Sequence, residues 1–348
     1  MRKLLLFILC AALVFAAACS AAPEAGNARG AAQTPSAEPT PAASAKPAAA
    51  QEHIITATIN SKCLEGNLIK ASAERSMCIY LPPSYYDNDK AFPVVYYLHG
   101  HGESAGSYVR ASKPMLDKEF KDGANEFIFV GIDGGSSFYV NSPVTGNWED
   151  YFLTEIIPYI DANYRTIPDA ASRGICGFSM GGFGCINLAL RHPDIFSAVY
   201  SMSPGLLRDE DFAEAMKLWK GDSGFITDYS RAFAPNTAAE KLGDVPALDG
   251  TEADNVIIEK WKSGFADLEA KMQAYIALGK PLKAIGFSYG TSDGYSWIPK
   301  GTQYFSDLLK ENGIENSLYT FKGGHSQPVN GIPELIVPLF SENLVSEK

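Results

Sequence analysis

The chain has 348 residues, 46% of them apolar, the composition of a globular protein with enough material for one large core. Its formal net charge of −11 argues against a nucleic-acid partner, whose phosphates call for a basic face.

Arg2 and Lys3 precede an apolar run from Leu4 to Val14, which closes on Ala16, Ala17 and Ala18 before Cys19. This is the pattern of a signal peptide over residues 1–18, and it is too short for a bilayer-spanning helix of roughly 20 residues. A cysteine directly after small residues resembles a bacterial lipobox, with Cys19 as the lipidated residue, and predicts an extracytoplasmic lipoprotein that meets the membrane only through that anchor. Residues 19–51 are mostly Ala, Pro, Ser, Thr and Glu without an aromatic side chain, so they read as a flexible stalk. The catalytic domain is expected over residues 52–348.

From His53 onward short β-rich runs alternate with helical stretches, the pattern of an α/β protein with a mostly parallel central sheet and helices on both faces. Ile54 to Asn60 and Met77 to Leu81 read as edge strands, and Pro93 to Leu98 and Phe127 to Ile132 as buried ones. Phe152, Ile156, Ile157 and Ile160 give Trp148 to Ala162 a helical apolar face. A short strand, Gly174 to Gly177, runs almost directly into a helix from Met180 to Arg191. Strands Ala198 to Met202 and Leu282 to Tyr289 are separated by an insertion, residues 206–281, with helical patterns at Asp211 to Trp219 and Ala253 to Leu278. It is read either as a cover over the site or as peripheral helices. Helix Lys300 to Asn312, strand Asn316 to Phe321 and helix Pro333 to Val345 complete the order. Cys63 and Cys78 flank the N-terminal hairpin and could pair outside the cell, whereas Cys176 and Cys185 sit in apolar runs as core residues. No CxxC pair and no Cys/His spacing suits zinc, so neither metal nor other cofactor is expected.

Gly177-Phe178-Ser179-Met180-Gly181 is a G-x-S-x-G motif between a β run and a helix, the context of a nucleophile elbow. A serine hydroxyl needs an adjacent base, and the chain has five histidines. His53 precedes the first strand, and His192 lies at the far end of the helix that starts at Met180, roughly 18 Å away at 1.5 Å per residue. His99 and His101, in Leu98-His99-Gly100-His101-Gly102, belong to a loop better suited to supplying backbone N–H groups. His325, in Gly323-Gly324-His325 after the last strand, is therefore the candidate base. Asp293, in Gly290-Thr291-Ser292-Asp293-Gly294, falls between nucleophile and histidine in chain order and is the candidate acid. Met180 N–H and His101 N–H, with Gly102 as the alternative, are the expected oxyanion donors. Tyr139, Trp148 and Trp297 are candidate substrate contacts.

Together with Tyr80-Leu81-Pro82-Pro83 and Arg191-His192-Pro193-Asp194-Ile195-Phe196, these motifs resemble the esterase D/feruloyl esterase family of α/β hydrolases. The resemblance spans residue 54 to the C-terminus. It implies the α/β-hydrolase fold, a Ser179–Asp293–His325 triad, and oxyanion donors at Met180 and after His99-Gly100. It further implies hydrolysis of feruloyl or acetyl esters of plant polysaccharide or oligosaccharide, with acyl transfer to a sugar or lipid hydroxyl as an alternative. A catalytically silent carbohydrate-binding lipoprotein is the non-enzymatic alternative. Ser326-Gln327-Pro328 and the long insertion depart from the family pattern.

Overall fold

The computed structural model describes residues 51–347; Cys19, the signal-peptide reading and nearly all of the stalk lie outside them. Eight strands form the central sheet: β1 (Ile54–Asn60), β2 (Glu74–Tyr80), β3 (Val94–Leu98), β4 (Ile128–Ile132), β5 (Arg173–Phe178), β6 (Ala198–Met202), β7 (Ala284–Gly290) and β8 (Ser317–Phe321). Their order is β1-β2-β4-β3-β5-β6-β7-β8. The β1–β2 and β2–β4 pairs are antiparallel and the rest of the sheet is parallel, with Leu98 of β3 opposite both Ile132 of β4 and Gly177 of β5.

Strand alternation divides the core between the two faces of the sheet. Val94, Tyr96 and Leu98 of β3 point into the larger apolar cluster, and Val95 and Tyr97 into the smaller. The smaller is closed by α1 (Ala105–Lys121) and the C-terminal segment, where the π-helical Ile332–Ile336 runs into the final helix Val337–Asn343. The larger is covered by α2 (Ile157–Asn163), which continues a π-helical Tyr151–Ile156, by α3 (Met180–Arg191) and by the insertion.

The insertion carries four helices: α4 (Phe212–Trp219), α5 (Ser223–Phe233), α6 (Glu252–Phe265) and α7 (Leu268–Ala277). Residues 253–278, expected as one helical stretch, break at Ala266, where the backbone turns extended, and at Asp267, at φ 53°. The break seats Phe265 in the aromatic cluster, and Lys271 Nζ donates to Ser263 O and Ala266 O at the end of α6. Tyr229 Oη ties α5 to α6, donating to Trp261 O at 2.8 Å and accepting from Phe265 N–H at 2.9 Å. Helix α8 (Trp297–Glu311) returns the chain to β8.

Two helices escaped the sequence reading. Pro114 inside α1 obscures its periodicity, although Val109, Leu116 and Phe120 form a buried stripe. Helix α5 is capped by Asp222, whose Oδ1 accepts from Gly224 N–H and Phe225 N–H at 3.1 and 3.0 Å. Cys63, Cys78, Cys176 and Cys185 are free thiols, and the Cys63–Cys78 pairing that the sequence left open is not formed: Cys78 faces the α1 side of the sheet, and Cys63 lies beside Thr154.

Candidate active site

Ser179 stands between β5 and α3 at φ 54°, ψ −114°, a conformation that costs an L-residue on the order of 1–3 kcal/mol. The turn closes only without side chains at two positions. A Cβ at Gly177 would lie 2.1 Å from Gly181 O, and one at Gly181 would lie 2.0 Å from Leu98 O. Ser179 N–H donates to Met202 O at 2.9 Å, pinning the elbow to β6.

Two C-terminal loops converge on that serine. The backbone after β7 packs against the backbone after β8 so closely that a Cβ at Gly290 would meet Gly324 O at 2.3 Å. Ser292 N–H donates to Gly323 O at 2.8 Å, which sets Asp293 beside His325. Asp293 Oδ2 accepts from His325 Nδ1 at 2.8 Å, and His325 Nε2 lies 2.8 Å from Ser179 Oγ. A carboxylate can only accept, so Nδ1 carries the proton and Nε2 is left to accept the serine hydroxyl hydrogen. The Asp293 side chain is buried, and its other oxygen accepts from Tyr295 N–H at 2.8 Å. Phe178 and Tyr295 flank the imidazole at centroid distances of 5.1 and 5.0 Å.

The loop after β3 faces the serine from the other side. His99 is fully buried: its Nε2 accepts from Gly134 N–H at 3.0 Å, so Nδ1 carries the proton and donates to Gly100 O at 2.8 Å. Gly100 N–H is taken by Glu103 Oε2 at 3.1 Å. Met180 N–H, first in α3, has no intrahelical acceptor by position, and His101 N–H has no backbone acceptor among the described residues. Both residues line the same cavity as Ser179.

That cavity, of about 390 Å³, is walled by Ser179, His325, Phe178, Met180, Trp297 and Ile298 of the core and by Leu218, Trp219, Asp222, Phe225 and Phe265 of the insertion. The insertion therefore forms one wall of the site. Phe265 stacks on Trp297 at 5.7 Å, and Trp219 meets Trp297 edge-on at 5.5 Å. Aromatic rings of Phe178, Trp219, Phe225, Phe265 and Trp297 form part of its lining, and Ser179, His325, Glu103, Asp222 and His101 present polar groups to it. None of the insertion residues on this wall, Leu218, Trp219, Asp222, Phe225 and Phe265, is among the contacts expected from sequence.

Of the three expected substrate contacts, Trp297 lines the cavity, whereas Tyr139 and Trp148 do not. The Tyr139 ring fills the space that glycine leaves at 134 and 184, and its Oη donates to His99 O at 3.0 Å, making it a strut behind the β3 loop. Trp148 is buried, donates from Nε1 to Thr145 O at 2.9 Å, and lies under the Arg75 guanidinium at 4.8 Å. Among the described residues no three His, Cys, Asp or Glu side chains are grouped as metal ligands would be.

The mostly parallel sheet, the strained serine between strand and helix, and the Ser–His–Asp hydrogen-bond chain define an α/β-hydrolase. Residues 70–273 match the family described as "Putative esterase", more than half of the chain, and the chain belongs to that family. It is 31% identical over 156 residues to Esterase MT1326 of Mycobacterium tuberculosis, a match covering 43% of this chain and 33% of that one. It is 30% identical over 147 residues to an endo-1,4-beta-xylanase/feruloyl esterase of Xylanibacter ruminicola, covering 39% of this chain and 20% of the relative. The chain thus spans a third or less of the length of these curated relatives. The solved structure of a ferulic acid esterase superposes with a TM-score of 0.57 at 23% identity, covering 84% of this chain and 98% of that one.

Proposed function

We propose that the protein is a serine carboxylic ester hydrolase that works through an acyl-Ser179 intermediate. The observation that carries this reading is the unbroken chain Asp293 Oδ2–His325–Ser179 Oγ, both links 2.8 Å, opening on a cavity with an aromatic wall. Ser179 Oγ attacks the ester carbonyl while His325 Nε2 takes its proton, and buried Asp293 stabilises the imidazolium. Met180 N–H and His101 N–H serve the oxyanion. Nε2 then protonates the departing alcohol, and a water activated by the same nitrogen releases the acid.

The aromatic wall of Trp219, Phe225, Phe265 and Trp297 favours a flat aromatic acyl group of the feruloyl kind over acetyl. The xylanase/feruloyl esterase relative supports a carbohydrate ester of plant polysaccharide as the substrate class. A lipid at Cys19 and a stalk over residues 19–51 would present the domain to such polymers outside the cell.

The test is hydrolysis of p-nitrophenyl acetate, methyl ferulate and feruloylated arabinoxylan fragments by residues 52–348 and by Ser179→Ala. Cleavage by the wild type with a loss of at least about a thousandfold in the variant supports the reading. Equal inertness of both proteins overturns it.

A further inference from the structure

We infer that Asp228, on insertion helix α5, is a positioning residue that holds the oxyanion loop in its working geometry through the His101 side chain. The inference rests on the esterase reading above and assigns the insertion a part in the chemical step as well as in forming the pocket wall.

The β3 loop is fixed at its base and closed by a turn at its tip. Its rear is tied to the body of the domain, since Gly134 N–H donates to His99 Nε2 at 3.0 Å and Tyr139 Oη to His99 O at 3.0 Å. Beyond Gly100 the backbone turns through Gly102 at φ +76°, where the conformation itself is permissive. The oxyanion donor proposed at His101 lies in that turn, which Glu103 N–H closes onto Gly100 O at 3.1 Å. Its imidazole reaches across to the insertion, with Nε2 3.1 Å from Asp228 Oδ2. Among the described residues this is the one side-chain hydrogen bond that His101 makes.

Asp228 can hold the loop because it is itself held. Its other oxygen faces Arg231 Nη1 at 3.6 Å, and Arg231 Nε donates to Lys241 O at 2.9 Å. The His101 ring is further confined by Phe138, stacked at 6.1 Å, and by Phe225, edge-on at 5.5 Å. A backbone donor acts on the oxyanion only if it is fixed before charge develops, and misplacement of a catalytic group by about 1 Å can cost on the order of a hundredfold in rate. Loss of the Asp228 contact therefore falls on kcat, because the ground-state ester does not need the donor as the tetrahedral anion does.

The experiment measures kcat and KM on methyl ferulate and p-nitrophenyl acetate for the wild type, Asp228→Ala, Asp228→Asn, His101→Ala and the Asp228→Ala/His101→Ala double variant, with Tm for each. Asp228→Ala is expected to lower kcat about 10- to 100-fold with KM within about threefold. Asp228→Asn, whose Oδ1 still accepts from Nε2, is expected to recover most of that loss. The double variant is expected to be no slower than the slower single one, because Asp228 acts through His101. A kcat for Asp228→Ala equal to wild type overturns the inference. So does a loss confined to KM and Tm, or full additivity in the double variant, since either leaves Asp228 a structural residue of the insertion. A wild type inert on every ester overturns the esterase reading instead, and this inference with it.

Discussion

A Cβ at Gly181 would lie 2.0 Å from the carbonyl oxygen of Leu98, so the serine turn on β5 and the end of β3 touch backbone to backbone. The contact brings the first N–H of α3 next to the loop that carries His101. Gly181→Ala must push the two apart, and no flexible side chain is there to yield. The expected outcome is a loss of at least about a hundredfold in kcat for whatever protein folds, together with a lower Tm. Activity within a few-fold of wild type would show that the contact does not set the site.

Asp293→Asn tests the acid separately from the nucleophile. An amide can offer its NH2 to Nδ1 and favour the tautomer whose Nε2 cannot accept from Ser179, at nearly constant volume. The expected loss in kcat is about 10³- to 10⁴-fold, with Tm within a few degrees of wild type. Retention of activity would indicate that another acid orients His325.

Phe225→Leu keeps that wall of the cavity apolar but removes a flat ring from it. The ratio of kcat/KM for methyl ferulate to that for p-nitrophenyl acetate is expected to fall about 5- to 20-fold, on the scale of 1–3 kcal/mol for a pocket change of this size. An unchanged ratio would place the aromatic acyl group elsewhere.

Asp133 ties the pH response of the fold to the loop behind the site. Burial works against its charged form, yet the Gly135 N–H and the Arg75 guanidinium outweigh burial and hold its pKa down toward about 2. A folded pKa below the unfolded value gives stability that is present above pH 4 and lost as the pH falls toward 2. At 1.36 kcal/mol per pH unit this is at most about 2 kcal/mol, trimmed by the partial exposure of the carboxylate. Urea midpoints at pH 6 and pH 2.5 should show wild type more stable than Asp133→Asn at the higher pH, with the gap closing at the lower. A gap independent of pH would rule out this linkage.

Thiol titration checks the cysteines. In residues 52–348, Cys78, Cys176 and Cys185 are buried, and only Cys63 is half-buried. Its thiol pKa is raised by burial, with Thr154 pulling the other way and Glu155 adding to the rise. One slow-reacting thiol is expected in the native protein, and four after denaturation without reductant. Two after denaturation would mean that the disulfide forms.

Sequence alone was enough to locate the sheet strands along the chain and to bring forward Ser179, Asp293 and His325, which the fold sets in hydrogen-bond contact, because these rest on local chemistry. Strand periodicity, a G-x-S-x-G turn that tolerates only glycine at its flanks, and polar residues directly after strands are all written within a few positions of one another. What tertiary structure decided are the contacts between segments far apart in the chain. Tyr139 and Trp148 look like binding aromatics in sequence, yet one fills the space beside Gly134 and Gly184 and the other is buried beneath Arg75. Whether the insertion covers the site depended on where α4, α5 and the break at Ala266 place Trp219, Phe225 and Phe265. The pairing of Asp228 with His101, 127 residues apart, carries no local signature at all. Packing free energy is summed over neighbours in space, so it decides which of several aromatic or acidic residues faces the cavity, whereas backbone conformation is set by neighbours in sequence and can be read there.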